Sequence, residues 1–490
     1  MVRTMIRPSC KEIETFAKEY SIIPICKEIH ADIVTPITLL RKISQISKKY
    51  YLLESIEGGE KWGRYSFLGF NPVLHVTCKN NEIIILDGEK RTLYYNNPFD
   101  AVRELLKEYK APQLKEMPPF TGGFVGYFAY EMIGYWERKL KLKTNDYYDF
   151  DLMLFDKVIA YDHLKQKIII MVNMRTDNIK ENYIKAIGEI EGIIRLVHDL
   201  TPLPKLVTKS RPHFTCNVIQ EEYCAMVEKT KEYIRNGDLF QGVISRRFET
   251  EYGDSLINAY RVLRTTNPSP YMVFLQRDET QIISTSPETL VKLKNGNLFT
   301  FPIAGSRPRG ETPREDKELE EELLQDEKEL SEHNMLVDLA RNDIGKVAKI
   351  SSVQVADYKK IQKYSKIMHI TSVVGGKIQD GKDPFDVIEA ILPAGTLSGA
   401  PKIRACEIIG EVEKEPRGIY GGAIGYIDFS GNMDTCIAIR MAVKKDNKVY
   451  VQAGAGIVAD SIPEKEYEES ENKAKAIIEA ILRASEVDEI

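Results

Sequence analysis

Short apolar runs dominate the early chain, and stretches with helical spacing appear later. Residues 51–53, 73–77, 83–86 and 167–174 are apolar runs of strand length, and 120–130 is aromatic and punctuated by glycine, so the first part is predicted to be strand-rich. Residues 178–197 read as a helix. The segment after it holds Pro202, Pro204 and Pro212 and lacks periodicity, which places a domain join near 200–215. The first domain is expected over 1–205 and the second over 212–490. Past the join, Tyr223, Met226, Val227, Thr230, Tyr233 and Ile234 recur at helical intervals and Gly237 supplies a stop. Strands and helices then alternate.

Length and charge narrow the picture. The chain has 490 residues, enough for roughly three domains, or for two large ones with sizeable cores. Its 68 Lys and Arg against 73 Asp and Glu give a net charge of −5, spread through the chain, so no general attraction to nucleic acid or anionic membrane follows. The longest uncharged stretch, 117–130, is fourteen residues with two prolines and three glycines, too short and broken to span a bilayer. Residues 1–20 mix Arg, Lys and Glu without a signal-like apolar core, and the seven cysteines show no C-x-x-C spacing. A reduced, cytoplasmic setting is expected. Thirteen of the 31 glycines fall between Gly375 and Gly456, which points either to many turns or to backbone held close to a ligand.

Candidate chemistry sits in the second domain. Glu329 and Glu332, and again Glu466 and Glu469, form E-x-x-E pairs. Three residues apart on a helix, each pair points to one side, and a divalent cation with a taste for hard oxygens would relieve the repulsion; a solvated helix face would carry the same pattern. The acidic run 318–322 reads as a solvated face. The segment FPIAGSRPRG, 301–310, places a glycine, a hydroxyl and two arginines between prolines, a composition suited to carboxylate recognition or to a surface turn. AGTLSGAPK, 394–402, sets Thr396 and Ser398 between glycines before a helical stretch, without the spacing of a nucleotide P-loop. His369 lies in a predicted strand, and its near-neutral pKa suits proton transfer as well as a structural place in the core. No hydrolase triad order or G-x-S-x-G elbow is present.

In order, DLFQGVISRRF, SPE, PIAGSRPRG, ELSEHNMLVDLARND, MHI, GTLSGAPK, IYGGAIGY, IAIR, AGAG and ESENKA resemble the chorismate-using enzymes over about 217–485. Within that family the chain is most similar to the aminases that make anthranilate. The resemblance implies an α+β fold of two interlocked parts with a β-sandwich-like core flanked by helices. It implies conversion of chorismate and ammonia to anthranilate and pyruvate with Mg²⁺ required. Carried onto this sequence, Glu332 and Glu469 would hold Mg²⁺, supported by Glu329 and Glu466. His369 would act as general acid, and Thr396 and Glu288 would position the ring and the attacking amine. Tyr420 and Arg440 would grip the enolpyruvyl carboxylate; Gly305, Gly454, Ala455 and Gly456, with Ser306 and Lys473, would line the other. On this reading the clustered glycines serve the ligand.

Two positions separate relatives. Isochorismate and salicylate synthases carry lysine at Gln241, where it activates water, and aminodeoxychorismate synthases carry lysine at Ala304, where its amine attacks the ring. With neither lysine, free ammonia must be the nucleophile. Ser306 replaces the family's usual threonine, keeping the hydroxyl. LLES and GRYSFLGFNP resemble the segment that binds feedback tryptophan, which suggests Glu54, Ser55, Pro270, Tyr271, Met272 and Cys436 as an allosteric site. No cysteine has a G-x-C-x-G context, so a separate glutaminase subunit, in a heterotetramer, is expected to supply ammonia. The alternatives are an aminodeoxychorismate synthase and a catalytically silent tryptophan-sensing subunit.

Overall fold

The computed structural model describes residues 6–55, 63–363 and 367–487. Of the N-terminal stretch read above, residues 1–5 lie outside the described residues. The strand-rich reading of the first part holds: Lys49–Glu54, Leu74–Lys79, Glu82–Leu86, Gly123–Phe128 and Lys167–Arg175 are strands, followed by the helix Ile179–His198. The glycine-punctuated run forms a strand only over Gly123–Phe128 and then turns through the 3-10 helix Tyr130–Tyr135. Residues 199–214 carry no regular element. The helix Gln220–Arg235 follows, and Gly237 adopts φ +84° just beyond it, a conformation that favours glycine.

Among the described residues there are two sheets of twelve strands each, and both draw on the two halves of the chain. In the first, Lys49–Glu54 pairs antiparallel with Tyr271–Arg277, Glu54 standing opposite Met272. In the second, Gly123–Phe128 pairs antiparallel with Ala423–Asp428. The sheets face each other: Tyr51, Phe67, Val273 and Met441 of the first meet Val125, Tyr127, Met153 and Phe155 of the second. This is the β-sandwich-like core.

Helices cover the outer faces. Leu39, Ile190, Tyr260 and Ile477 bring four of them onto the first sheet, and Phe99, Val337 and Phe385 bring three onto the second. Burial explains the sequence pattern. Phe150–Phe155 is buried at every position, as a central strand covered on both faces must be. Ile367–Lys377, near the sheet edge, alternates buried and partly exposed positions. That edge is where the cavity described next opens.

Candidate active site

A cavity of about 500 Å³ lies between the edge strands Ile303–Pro308 and Ile367–Lys377 of the second sheet and the strand Lys448–Ile457 of the first. Glu288, Gly305, Ser306, His369, Thr396, Tyr420, Arg440, Gly454, Gly456 and Lys473, all singled out from sequence, line it. Pro270 of the suggested tryptophan segment lines it as well.

The edge strand is shaped around Gly305. Its φ is +71°, and a β-carbon there would stand 3.0 Å from Ile370 and 3.1 Å from the Glu329 carboxylate. The register slips between Ala304 and Ser306, and the freed Gly305 carbonyl accepts a hydrogen bond from His369 Nδ1 at 3.2 Å. That bond assigns the imidazole proton to Nδ1 and makes Nε2 the atom where a proton can come and go. Burial lowers the His369 pKa, the Gly305 bond raises it in part, and the Arg440 charge lowers it further. The ring is therefore mostly neutral near pH 7.

Glu288 behaves in the opposite way. Burial pushes its carboxyl up to about 7, against the pull of the Thr396 hydroxyl and the Lys473 ammonium. The Thr396 Oγ1 atom is buried and makes no hydrogen bond of ordinary geometry with protein. Arg440, at φ +47°, presents a guanidinium that forms no ion pair among the described residues, and its pKa is lowered chiefly by burial. Beside it, burial lifts Tyr420 to about 12 while the Arg417 charge pulls it down. Such an unmatched cation in an enclosed wall is built to meet an anion.

The two E-x-x-E pairs lie on the helices Glu327–Gly345 and Pro463–Leu482. The Asp326 carboxylate caps the first, accepting from the Lys328 and Glu329 amides at 3.1 and 3.2 Å. Glu332 reaches solvent yet is crowded by protein, so burial raises its pKa, and the charges of Glu329 and Glu469 raise it further. Glu466 is likewise raised by burial and by Glu469. The charges of Glu329 and Glu469 thus reach Glu332, and that of Glu469 reaches Glu466; none of the four lines the cavity itself, and Glu469 lies with Arg440 and Lys473 in a shallower pocket. No His, Cys, Asp or Glu side chains gather in threes at ion-binding distance among the described residues. Lys473 sits in their midst instead, 2.6 Å from Glu469 and donating to the Gly454 carbonyl at 3.2 Å. Mutually repelling carboxylates with hard oxygen donors fit a divalent ion such as Mg²⁺.

Several readings are corrected by the structure. Arg307 pairs with Glu322 and Asp326 at 3.0 and 2.8 Å, and Arg309 with Asp316 at 2.7 Å, so the arginines of FPIAGSRPRG tie a strand to the helix Pro313–Leu323 and are spent on protein carboxylates. The acidic run is accordingly only partly a solvated face. Ser398 turns inward and donates to the Ala394 carbonyl at 2.9 Å, which leaves Thr396 to face the cavity. The glycines answer mainly to protein neighbours: a β-carbon at Gly454 would meet the Ile244 carbonyl at 2.4 Å, and one at Gly456 the Gln241 amide at 2.5 Å. Ala455 points away, buried with Ile244 and Ile457, as strand alternation requires. Gln241 stands behind Gly456 and outside the cavity wall, with its Oε1 buried and without a hydrogen-bond partner.

The suggested tryptophan residues on the first sheet divide between its two faces, and Cys436 stands on the second sheet. Glu54 and Met272 face the outer helices, where the buried Glu54 carboxylate accepts from Arg264 at 2.8 and 3.1 Å, Tyr260 at 2.9 Å and Ser66 at 2.9 Å. Tyr271 faces the inner core that holds Cys436, and donates to Asp434 at 2.8 Å. Ser55 follows at the strand end and is half-buried. Sequence reasoning missed the cavity residues Gln452, Asn267 and Ser269. Gln452 was discoverable, since it shares a strand face with Gly454 and Gly456 at period two.

The chain matches the chorismate binding enzyme family over residues 48–479. It is 47% identical to anthranilate synthase component 1 of Acetivibrio thermocellus, the alignment covering 99% of this chain and 100% of that protein. The identity to the same component of Aquifex aeolicus is 45%, over 98% of this chain and 99% of that protein. The crystal structure of anthranilate synthase component I from Streptococcus pneumoniae superposes with a TM-score of 0.77 at 36% identity, over 92% of this chain and 98% of that one. The menaquinone-specific isochorismate synthase of Escherichia coli shares the fold, with a TM-score of 0.70 at 17% identity over 96% of this chain and 98% of that one. With its motifs gathered around one cavity and its whole length matched by such relatives, the chain belongs to the chorismate binding enzymes.

Proposed function

We propose that this chain converts chorismate and ammonia to anthranilate and pyruvate in the cytoplasm, as the aminase of a two-component synthase serving tryptophan biosynthesis. The observation that carries the reading is the Arg440 guanidinium, without an ion pair among the described residues, in the wall of a cavity also lined by Tyr420, Lys473 and His369. A dicarboxylate fits such a wall. Arg440 and Tyr420 bind the enolpyruvyl carboxylate. Lys473, the Ser306 hydroxyl and backbone at Gly305, Gly454, Ala455 and Gly456 hold the ring carboxylate.

Glu288, half-protonated near pH 7, and Thr396 orient the ring and the incoming amine. His369 moves a proton at Nε2 as the ring hydroxyl departs as water, with Nδ1 anchored on Gly305. Glu332 and Glu469, aided by Glu329 and Glu466, would hold Mg²⁺, which when bound supplies positive charge to the ring carboxylate. Ala304 and Gln241 offer no amine to attack the ring or to activate water, so the nucleophile is ammonia, drawn from glutamine by a separate glutaminase subunit in a heterotetramer. Tryptophan feedback is assigned to Glu54, Ser55, Pro270, Tyr271, Met272 and Cys436. Pro270 touches both that segment and the substrate cavity, and the ligand's ammonium would have to compete with Arg264 for Glu54.

The test is product identification. Chorismate, Mg²⁺ and an ammonium salt should yield fluorescent anthranilate with the isolated chain, whereas glutamine should serve only when a glutaminase subunit is added. Release of isochorismate or an aminodeoxy product, or efficient glutamine use by the pure chain, would overturn the reading. Saturating tryptophan should lower turnover; an unchanged rate and midpoint would remove the allosteric assignment.

A further inference from the structure

One buried ion pair lies under the cavity without lining it. Arg417 and Glu413, 3% and 4% exposed, make a bidentate pair with distances of 2.9 and 2.6 Å. Such a pair is a weak source of stability, because desolvation offsets most of the attraction. Its remaining bonds point to another use. Arg417 also donates to the Val243 carbonyl at 2.7 Å and to the Leu397 carbonyl, and its guanidinium lies 5.8 Å from the Tyr420 ring centroid. Glu413 accepts from the Ser245 amide at 2.7 Å and its hydroxyl at 2.8 Å; that hydroxyl in turn accepts from Gln452 at 2.9 Å. Val243, Leu397, Tyr420 and Gln452 all line the cavity, and they come from four separate stretches of chain. The planar fork of arginine can hold two carbonyls and a carboxylate at once, which a lysine ammonium cannot do at these angles.

We propose that the Arg417–Glu413 pair is a positioning device that fixes Tyr420, the Thr396 turn and Gln452 relative to one another, and that it acts on turnover through them without touching substrate. The inference rests on the chorismate reading of the cavity. The turn that carries the pair is itself clamped from the first half of the chain. Glu131 Oε1 accepts from the Arg417 and Gly418 amides at 2.8 and 3.1 Å, and its other oxygen from Asn145 at 2.9 Å.

The test compares Arg417→Lys with wild type in thermal unfolding, chorismate binding and steady-state kinetics. A merely structural role would lower the unfolding midpoint and leave the turnover of folded enzyme intact. Positioning predicts a kcat reduced by at least about tenfold well below the midpoint, with up to about a hundredfold for a misplacement of reacting groups by about 1 Å, and a smaller change in KM. A folded Arg417→Lys protein with kcat and KM within twofold of wild type would overturn the proposal. Should that variant not fold, Ser245→Ala removes only the hydroxyl linking Glu413 to Gln452. It should keep the wild-type midpoint and lose severalfold in kcat/KM, and wild-type kinetics there would equally overturn it. A wild-type chain that neither binds nor converts chorismate would sink the functional reading and this inference with it, whereas an active wild type beside an unaffected variant sinks this inference alone.

Discussion

Two titratable groups in one cavity are pushed apart by the same cause. Burial disfavours charge, so it lifts the acid Glu288 to about 7, where it is half-protonated at neutrality, and depresses the base His369, which is then mostly neutral. The sign of the stability effect follows for Glu288. Its pKa rises from an ordinary 4.5 to about 7 on folding, so the folded chain binds the proton more tightly. The resulting stabilisation is complete below the ordinary value and is lost as pH climbs through about 7. Wild type should therefore lose denaturation free energy relative to Glu288→Gln between pH 5 and 8, as about 4.5 to 7 brackets the change. Urea midpoints across that range measure it, and a pH-independent difference between the two proteins would contradict it. Because Lys473 lowers the Glu288 pKa, Lys473→Met should move the same transition to higher pH.

At the scale of elements, the edge strand Ile303–Pro308 and the helix Glu327–Gly345 share one tight contact. Gly305 lies against Glu329 with a positive φ, so Gly305→Ala should cost about 1–3 kcal/mol through backbone strain and also displace the Glu329 carboxylate. Calorimetric titration with Mg²⁺ and thermal melts read the two effects. A variant with unchanged melting and unchanged metal affinity would show that the strand relaxes freely. This contact also marks where sequence reading stopped. The E-x-x-E pairs were legible because a helix of regular pitch puts residues three apart on one side, and His369 was legible as a strand residue from its apolar flanks. The fate of Arg307 and Arg309 was not, because a guanidinium suits a substrate carboxylate and Asp316 equally well, and only the fold brings Asp316 within 2.7 Å of Arg309. The packing role of the glycines was hidden for a related reason. The backbone that crowds Gly454 belongs to Ile244, some two hundred residues earlier, and no local pattern reports such a pairing.

At the scale of the whole molecule, the composition break near 200–215 separates two stretches of chain that do not build separate sheets. Each twelve-strand sheet is shared, through Lys49–Glu54 against Tyr271–Arg277 in one and Gly123–Phe128 against Ala423–Asp428 in the other. Cutting the chain at the join would strip both pairings, leaving two long central strands as bare edges, which template aggregation. It would also remove Tyr51, Phe67, Tyr127 and Phe155 from the core between the sheets, exposing Val273 and Met441. The Glu131 clamp on the Arg417–Gly418 turn would vanish with them. A fragment spanning 212–490, which holds every residue assigned to catalysis, should therefore fail to give a cooperative melting transition, should associate on size-exclusion chromatography, and should show no chorismate turnover. Co-expression with 1–205 should restore all three properties if the fragments find each other, since the sheets supply the complementary edges. A monomeric 212–490 fragment that melts cooperatively and turns over chorismate would mean that the shared sheets are dispensable and that the catalytic half carries its own core.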